Sequence, residues 1–276
     1  MRKVVIALVV VAVAGRSCGT CGDDGPSPAL RIATFNIEDF PKGEAQIAGA
    51  FAEIVAVGAP VIALQEITDP EVFEREAKAR LGDRWRFVYE EAIPDHHRMG
   101  VLYDGMAYRH IATRVHDGTR LAGRRHKGVL EVELARGNQH VRVLVVHLAA
   151  SSEQQPVRHQ QHAALQQIVA QVVRSGAQVV VLGDFNATDD DRDRADLAAL
   201  ASATGMTWAT EDLACSAFWR RSDGCPRSRL DHVLSTEAAR EVRNAGACAV
   251  DGCEWQDRCP LYAEQVSDHC PVVVDF

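Results

Sequence analysis

The stretch VVVLGDFN (residues 179–186) decides the fold class, because four apolar β-formers run directly into a glycine and two polar residues. A short apolar run closed by such a turn is typical of a buried strand. Upstream, residues 156–174 have the clearest helical pattern of the chain. Pro156 stands near the first turn, apolar residues follow at helical spacing, and Gly176 comes just after the end. A helix followed by a buried strand predicts an α/β protein.

Strand and helix patterns extend from this unit in both directions. Strands are predicted at residues 30–35, 61–64, 85–89, 100–103, 108–115, 128–134, 141–148, 230–234 and 271–276. Two further helices are predicted at residues 45–57 and 71–81. Helices early and late, with many strands between them, favour two packed sheets that are covered by helices.

The apolar runs repeatedly stop at residues that can bind a metal ion or move a proton. These residues are Asn36, Glu66, His147, Asp184 with Asn186, Asp231, and Asp268 with His269. Singly, each has an ordinary explanation, such as a turn-forming asparagine or a hydrogen-bonded core histidine. The pair Asp268–His269 is more informative, because an aspartate beside a histidine at the start of a strand is costly to bury unless the pair is used.

In their order along the chain, these segments resemble the endonuclease/exonuclease/phosphatase superfamily, which has the deoxyribonuclease I-like fold. The matching segments are ATFN (33–36), LQE (64–66), VHL (146–148), GDFN (183–186), RLDH (229–232) and SDHCP (267–271). The resemblance covers nearly the whole chain beyond Leu30. It implies an α/β fold, a four-layer sandwich whose two mixed or antiparallel sheets are flanked by helices, with the site at the edge where the sheets open.

The resemblance also implies a divalent-cation site. Asn36 and Glu66 are expected to hold the ion, with Asp268 in the same acidic cluster. Mg²⁺ fits best, since it prefers oxygen ligands and keeps several waters, while Mn²⁺ and Ca²⁺ stay open. Glu38 and Asp39 are close to Asn36 in sequence, but the strand register points them elsewhere.

Catalytic roles follow from the resemblance in the same way. His269 is expected to be the general base, with Asp231 fixing its tautomer. Asp184 and Asn186 are expected to orient the attacking water and the phosphoryl oxygens, and His147 to donate to the phosphate or protonate the leaving oxygen. The chemistry is consistent, because attack on a phosphodiester needs neutralisation of developing charge and a base with a pKa near ambient pH.

Two arginines, Arg125 and Arg158, are candidates for contacts with the substrate phosphate, with solvated surface charge as the alternative. No function is assigned to seven further histidines, which lie among polar residues and are expected at the surface. They are His96, His97, His116, His126, His140, His159 and His162.

The N-terminus has the pattern of a secretory signal peptide. Arg2 and Lys3 precede an apolar run, residues 4–14, that ends in small residues and is too short to span a bilayer of about 30 Å. We therefore expect a signal peptide at 1–14, a linker at 15–29 and one catalytic domain at 30–276. A periplasmic or extracellular location follows. A lipid anchor at Cys18 is a weaker alternative, because the residues before it fit lipoprotein processing poorly.

Cysteine usage agrees with export, since six of the eight cysteines fall in the last quarter of the chain. An even number of cysteines in an oxidising compartment predicts disulfides, whose pairing the sequence leaves open. The alternative is a zinc site of Cys248, Cys253, Cys259 and Cys270, although these gaps are looser than the usual ligand spacing.

The function that these features favour is an exported, divalent-metal-dependent phosphodiesterase, foremost a nuclease, acting as a monomer without a protein partner. The net charge of −8 argues against tight non-specific nucleic-acid binding but does not exclude a nuclease. The presence of a histidine, His147, at the end of its strand resembles the deoxyribonuclease I, sphingomyelinase and inositol-phosphatase branches of the superfamily. A sphingomyelinase or phospholipase C acting on lipid, an inositol or sugar phosphatase, and an inactive binding scaffold of the same fold therefore remain as alternatives.

Overall fold

The structure is a computed structural model of the 276-residue chain and describes residues 29–91, 96–121 and 126–276. The predicted signal peptide, the linker before Ala29, Cys18 and the candidate phosphate contact Arg125 lie outside the described residues.

Two six-stranded sheets form the centre of the described part of the chain, with strands numbered in chain order. The first sheet contains, from edge to edge, β13 (Glu241–Asn244), β14 (Val272–Asp275), β1 (Arg31–Phe40), β2 (Val61–Ile67), β4 (Arg98–Asp104) and β3 (Trp85–Tyr89). The second contains β5 (Arg109–His116), β6 (Val129–Arg136), β7 (Gln139–His147), β8 (Gln178–Asp184), β12 (Asp231–Ser235) and β9 (Thr207–Trp208). Both sheets are mixed, because β1–β2 and β7–β8 are parallel pairs among antiparallel ones.

Helices cover the outer faces of both sheets. The helices are α1 (Glu44–Val57), α2 (Pro70–Leu81), α3 (Gln155–Val173), α4 (Asp191–Thr204), α5 (Gly246–Asp251) and α6 (Leu261–Gln265), with a short 3₁₀ turn at Asp117–Thr119. One apolar core lies between the sheets, a second packs α1 and α2 on the first sheet, and a third packs α3 and α4 on the second. The four-layer α/β sandwich that the sequence predicts is thus confirmed.

The predicted elements agree with the observed ones to within about five residues, whereas several observed elements, among them α4, α5, α6, β9 and β13, have no counterpart in the prediction. Asp190 caps the N-terminus of α4, where its side chain accepts a hydrogen bond from the Arg192 N–H, and Gly205 caps the C-terminus in the left-handed conformation. These are ordinary capping signals. The sequence shows no clear helical periodicity here, because the apolar face of the helix is narrow and its first turn is rich in aspartate.

A small disulfide-bonded subregion packs beside the ends of the sheets. A two-stranded hairpin, β10 (Ala217–Phe218) and β11 (Arg227–Ser228), packs with α5 and α6 around a core of cysteines. The disulfides are Cys215–Cys253, Cys225–Cys259 and Cys248–Cys270. The predicted disulfides are therefore present in the structure, and the zinc alternative is wrong because the four cysteines pair in three separate bridges.

Gly183 allows the close approach of β8 to β7 at the end of the parallel pair. Its φ is +140°, and a Cβ added there would lie 2.1 Å from the carbonyl oxygen of Val146. Only glycine fits this position. Among the described residues, no helix is both long and apolar enough to cross a membrane.

Candidate active site

Strand register brings the polar strand ends together at one edge of the sandwich. His147 lies opposite Asp184 in the parallel pair β7–β8, and Asp231 lies opposite Asp184 in the antiparallel pair β8–β12. In the first sheet, Asn36 of β1 lies opposite Gln65 of β2, which places Glu66 one residue further on. The predicted residues from both sheets thus converge on one cleft.

Asn36 links carboxylates of the two sheets. Its fully buried amide nitrogen donates to Glu66 Oε1 at 3.2 Å and to Asp184 Oδ2 at 3.1 Å, while its Oδ1 accepts from the Glu38 N–H at 3.0 Å. In this arrangement Asn36 positions two carboxylates, whereas the sequence led us to expect its oxygen on a metal ion.

His147 lies above the same carboxylates. Its Nε2 is 3.7 Å from both Glu66 Oε1 and Asp184 Oδ2, and its buried Nδ1 has no hydrogen-bond partner in the described part of the chain. Burial, helped by nearby cationic groups, lowers the pKa of His147 well below its ordinary value. A neutral imidazole is therefore favoured there, and it can donate a hydrogen bond from one nitrogen.

Asp184 is the centre of the cluster. Its Oδ1 accepts from the backbone N–H of Asn186 at 2.8 Å, and its Oδ2 faces Asn36 and both histidines. Burial, together with the negative charge of Asp231 and Glu66, raises the pKa of Asp184 to about 7. The Asp184 carboxylate is thus cut off from water and lies beside two further negative charges.

His269 and Asp231 form a buried dyad. His269 Nδ1 lies 2.8 Å from Asp231 Oδ2, which also accepts from the Ser216 hydroxyl at 2.7 Å. Burial alone would lower the pKa of His269, but the carboxylates of Asp231 and Asp184 raise it well above its ordinary value. With Nδ1 held in this way, Nε2 faces the cleft, 3.8 Å from Asp184 Oδ2.

Asp268 lies at the outer edge of the cluster, next to residues that the sequence did not indicate. Glu38 Oε2 accepts from the Asp268 N–H at 3.1 Å, and Arg220 forms ion pairs with both Glu38 and Asp268. Burial, with the charges of Glu38 and Glu66, raises the pKa of Asp268 to about 6. The expectation that Glu38 and Asp39 point elsewhere is wrong, since both line the cleft.

Five residues of the cleft have left-handed backbones although none is glycine. They are Glu38 (φ 24°), Asp39 (φ 56°), Glu66 (φ 61°), Ser151 (φ 72°) and Asn186 (φ 49°). Such conformations cost of order 1–3 kcal/mol each and cluster at functional sites. Glu38 and Asp39 interrupt the regular strand conformation of β1. A prediction that assumes regular strand alternation therefore gives the wrong direction for both side chains.

The cleft has a volume of about 1350 Å³ and runs from the cluster past the disulfide-bonded hairpin. On that side it is lined by Trp219, Arg221 and Arg227. Trp219 is 56% exposed, and the Arg227 guanidinium lies 4.1 Å from the centre of the Phe218 ring. The hairpin therefore presents an aromatic ring and two cations beside the acidic cluster.

Arg158 is in the wall of the cleft, but its guanidinium is bonded inside the protein. The side chain is 2% exposed, its guanidinium pairs with Asp193 at 2.9 Å, and it donates to the carbonyl oxygens of Ala149 and Ser151. With its nitrogens engaged inside the protein, Arg158 braces the loop before α3 and offers little surface to a phosphate. The sequence could not predict this because Asp193 belongs to the helix that the prediction omits.

His162 is likewise buried, not at the surface as expected. It is 3% exposed, stacks on Phe185 with ring centroids 5.9 Å apart, and neither ring nitrogen has a hydrogen-bond partner among the described residues. Burial lowers its pKa to about 4. Its position on the buried face of α3 follows from helical spacing with Leu165 and Val169, a signal that the sequence does contain.

The carboxylates of the cluster offer the oxygen ligands that a hard divalent cation prefers. Ligand atoms of Glu66, His147 and Asp184 lie within 4.8 Å of one another, as do those of Asp184, Asp231 and His269. Asp231 Oδ1 is buried without a hydrogen-bond partner among the described residues. Carboxylates crowded together in this way are what a bound cation would neutralise.

A family model described as "Endonuclease/Exonuclease/phosphatase family" matches residues 33–269. This chain belongs to that family. Its members are phosphodiesterases and phosphatases, so the chain is a phosphoric ester hydrolase with acidic and histidine groups that could bind a metal ion. The match spans every predicted site residue, from Asn36 to His269. A search of curated proteins returned no match.

Solved structures share the fold at low sequence identity. TDP2 of D. rerio, complexed with a single-strand DNA product, is 16% identical with a TM-score of 0.67, over 90% of this chain and 98% of that one. The human Nocturnin catalytic domain with a bound sulfate is 17% identical with a TM-score of 0.66, over 90% and 93%. NExo from Neisseria, a 3′ phosphatase bound to a product DNA hairpin, is 18% identical with a TM-score of 0.66, over 90% and 99%.

Proposed function

We propose that this family member is an exported, Mg²⁺-dependent nuclease that hydrolyses phosphodiester bonds by attack of water. The observation that carries the proposal is the juxtaposition of the His269–Asp231 dyad, the Glu66–Asp184 carboxylates and the cationic, aromatic hairpin in one cleft. Two structural neighbours hold DNA products, which supports a nucleic-acid substrate.

Glu66 and Asn36 would hold the cation, with Asp268 at the edge of the same cluster. For Asn36 this requires the amide to turn so that its oxygen replaces its nitrogen, and the two orientations have nearly the same shape. The bound ion supplies charge neutralisation at the phosphoryl oxygens.

The remaining residues of the site move protons and orient the reactants. His269 Nε2 takes the proton from the attacking water, while Asp231 holds Nδ1 and stabilises the imidazolium that forms. Asp184 and Asn186 orient that water and the phosphate. His147 donates a hydrogen bond to the phosphate or protonates the leaving oxygen, in keeping with its position over Glu66 and Asp184.

The raised pKa of His269 bears on this role, because a base must be neutral before it acts. Of the carboxylates that raise this pKa, Asp184 lies beside Glu66 at the proposed cation site. With a dication held by Glu66, part of this negative charge would be offset, and the pKa of His269 would fall towards its ordinary value, where proton transfer at neutral pH is efficient.

A lipid phosphodiester is the second candidate substrate, and an observation favours it. Besides Trp219, the hairpin region exposes Trp255, which packs against Gly224 of the hairpin and is 57% exposed. Exposed aromatic rings next to a phosphodiesterase site suit insertion into a membrane interface as well as stacking on bases. The sequence alone gave no sign of such a surface.

A substrate panel tests the proposal. The exported chain is assayed with Mg²⁺ on single-stranded DNA, sphingomyelin vesicles and a sugar phosphate, with EDTA and the His269→Ala variant as controls. We expect DNA cleavage that both controls abolish. Cleavage of sphingomyelin alone would assign the protein to lipid hydrolysis, cleavage of the sugar phosphate alone would make it a phosphatase, and no cleavage of any substrate would favour an inactive scaffold.

Export is part of the same proposal. The three disulfides fit an oxidising compartment, and the N-terminal pattern of residues 1–14 supports secretion to the periplasm or the medium. Expression with and without residues 1–14, followed by assay of the periplasmic and culture fractions, tests it. Equal amounts of the intact chain in the cytoplasm in both cases would contradict export.

A further inference from the structure

A second group of potential metal ligands lies at the rim of the cleft. Asp39 stands near the end of β1, and His96 and His97 come directly before β4. These chain segments meet because β2 pairs with both strands, parallel to β1 and antiparallel to β4. One ligand atom from each of the three side chains lies within 4.8 Å of the others.

The side chains are arranged closely and are accessible to solvent. His97 Nε2 is 2.5 Å from Asp39 Oδ1, and the rings of His96 and His97 have centroids 4.3 Å apart. The Asp39 side chain is 50% exposed and that of His97 is 26% exposed. An ion from solvent can therefore reach all three without opening the fold.

We propose that Asp39, His96 and His97 form a binding site for a transition-metal dication such as Zn²⁺, separate from the catalytic cation site. Two imidazoles and one carboxylate are ligands that Zn²⁺, Cu²⁺ and Ni²⁺ prefer, whereas Mg²⁺ prefers oxygen ligands alone. Three protein ligands leave one position of a tetrahedral ion for water. The two sites consequently differ in the metal that they select.

The backbone links this rim site to the catalytic cluster. The Asp39 N–H donates to Glu66 Oε2 at 3.1 Å, while the other oxygen of Glu66 accepts from Asn36. An ion bound by the Asp39 carboxylate adds positive charge next to Glu66 and joins His96 and His97 to the end of β1. We therefore expect occupancy of the rim site to change the rate of hydrolysis at constant Mg²⁺.

Zn²⁺ titration by calorimetry, with Mg²⁺ in excess, tests the site directly. All proteins carry Cys18→Ser and Cys21→Ser so that these thiols cannot bind the ion. Asp39→Asn and the double variant His96→Gln with His97→Gln are expected to bind Zn²⁺ more than about tenfold more weakly, since loss of even an outer-sphere partner costs 10–100-fold. His140→Gln is the matched control, an exposed histidine paired with Glu133 on the second sheet.

A further variant, Asp184→Asn, separates the rim site from the catalytic cluster. It is expected to retain Zn²⁺ binding, whatever its activity, so this result is independent of the proposed function. The proposal is overturned if the starting protein binds no Zn²⁺, if the double histidine variant binds it as tightly, or if Asp184→Asn abolishes binding.

Discussion

At the scale of single residues, the site depends on how Asp231 and Asp184 set the charge of His269. Asp231 contacts His269 Nδ1 directly, whereas Asp184 faces Nε2 at 3.8 Å. Both carboxylates favour the imidazolium form. The proposed function of His269 as a base is therefore sensitive to the charge of Asp231, which contacts only its Nδ1.

Asp231→Asn should shift the pH dependence of hydrolysis. Removal of this negative charge lowers the pKa of His269, so the neutral base becomes available at lower pH and the acid limb of the kcat/KM profile moves to lower pH. At the same time kcat falls by at least about 10²-fold, since the tautomer is no longer held. Initial rates at saturating Mg²⁺ across a pH series provide the measurement.

Ser216→Ala is the matched control, because it removes a hydrogen bond to Asp231 but keeps its charge. It should leave the acid limb nearly unchanged. An acid limb that stays in place in Asp231→Asn, or moves to higher pH, would mean that His269 is not the base.

At the scale of secondary-structure elements, the ends of the strands position the side chains of the site. The close approach of β7 to β8 is the tightest steric constraint on this arrangement. Gly183 makes this approach possible beside His147 and Asp184. The disulfide-bonded subregion holds the other side, since Cys270 follows His269 directly and pairs with Cys248 of α5.

Gly183→Ala is expected to destabilise the protein by more than about 3 kcal/mol, because the new Cβ forces the paired strands apart or the backbone out of its conformation. Gly176→Ala serves as the control, since its φ is also positive (+76°) but the space around it is open. That change should cost only about 1–2 kcal/mol, the penalty of a left-handed backbone alone. Urea unfolding measures the free energy of unfolding of both variants. Equal losses of stability would show that the close approach of β7 to β8 does not exclude a Cβ at residue 183.

Two pairs of cysteine variants should have different kinetic effects. Cys248→Ala with Cys270→Ala frees the segment next to His269, so kcat should fall while KM changes little. Cys225→Ala with Cys259→Ala frees the hairpin that carries Trp219, so KM should rise instead. Each loss also lowers stability by about 3–4 kcal/mol for loops of 22 and 34 residues, so the assays need temperatures well below unfolding. Identical effects of the two pairs on kcat and KM would contradict this division.

At the scale of the whole molecule, buried histidines make the fold sensitive to acid. Burial lowers the pKa of His162 to about 4 and that of His232 to about 3, both below the 6.5 of an exposed imidazole. The unfolded chain binds these protons first. The stability from the neutral rings is thus complete above pH 6.5 and is lost as pH falls towards the folded-state pKa values.

His162→Phe should reduce this acid sensitivity, because a phenyl ring can keep the stacking on Phe185 and takes up no proton. Each such histidine contributes up to about 1.4 kcal/mol per pH unit to the slope of unfolding free energy against pH. Urea unfolding between pH 6.5 and about 4 should show a shallower dependence of unfolding free energy on pH for the variant than for the unsubstituted protein and for His140→Gln. Equal slopes for the variant and the unsubstituted protein would show that His162 does not contribute to the acid sensitivity.

Much of the fold was predictable from the sequence, because buried strands ending in polar residues are local patterns. The cluster from Asn36 to His269 could be named for the same reason. The rest depends on contacts between distant segments: Arg158 pairs with Asp193 of α4, and Glu38 reaches Asp268 through a left-handed turn. The disulfide pairing likewise depends on how α5, α6 and the hairpin pack together.

The central claim is that the strand ends form a cation-dependent phosphoesterase centre. The most direct test compares the Mg²⁺ dependence of single-stranded DNA cleavage by the unsubstituted protein and by Glu66→Gln. Glu66→Gln keeps the size of the side chain but removes its charge. We expect its rate at saturating substrate to fall by at least about 10²-fold, with partial recovery at high Mg²⁺ and an unchanged melting temperature. A fully active Glu66→Gln, or cleavage by the starting protein that EDTA does not affect, would contradict the account.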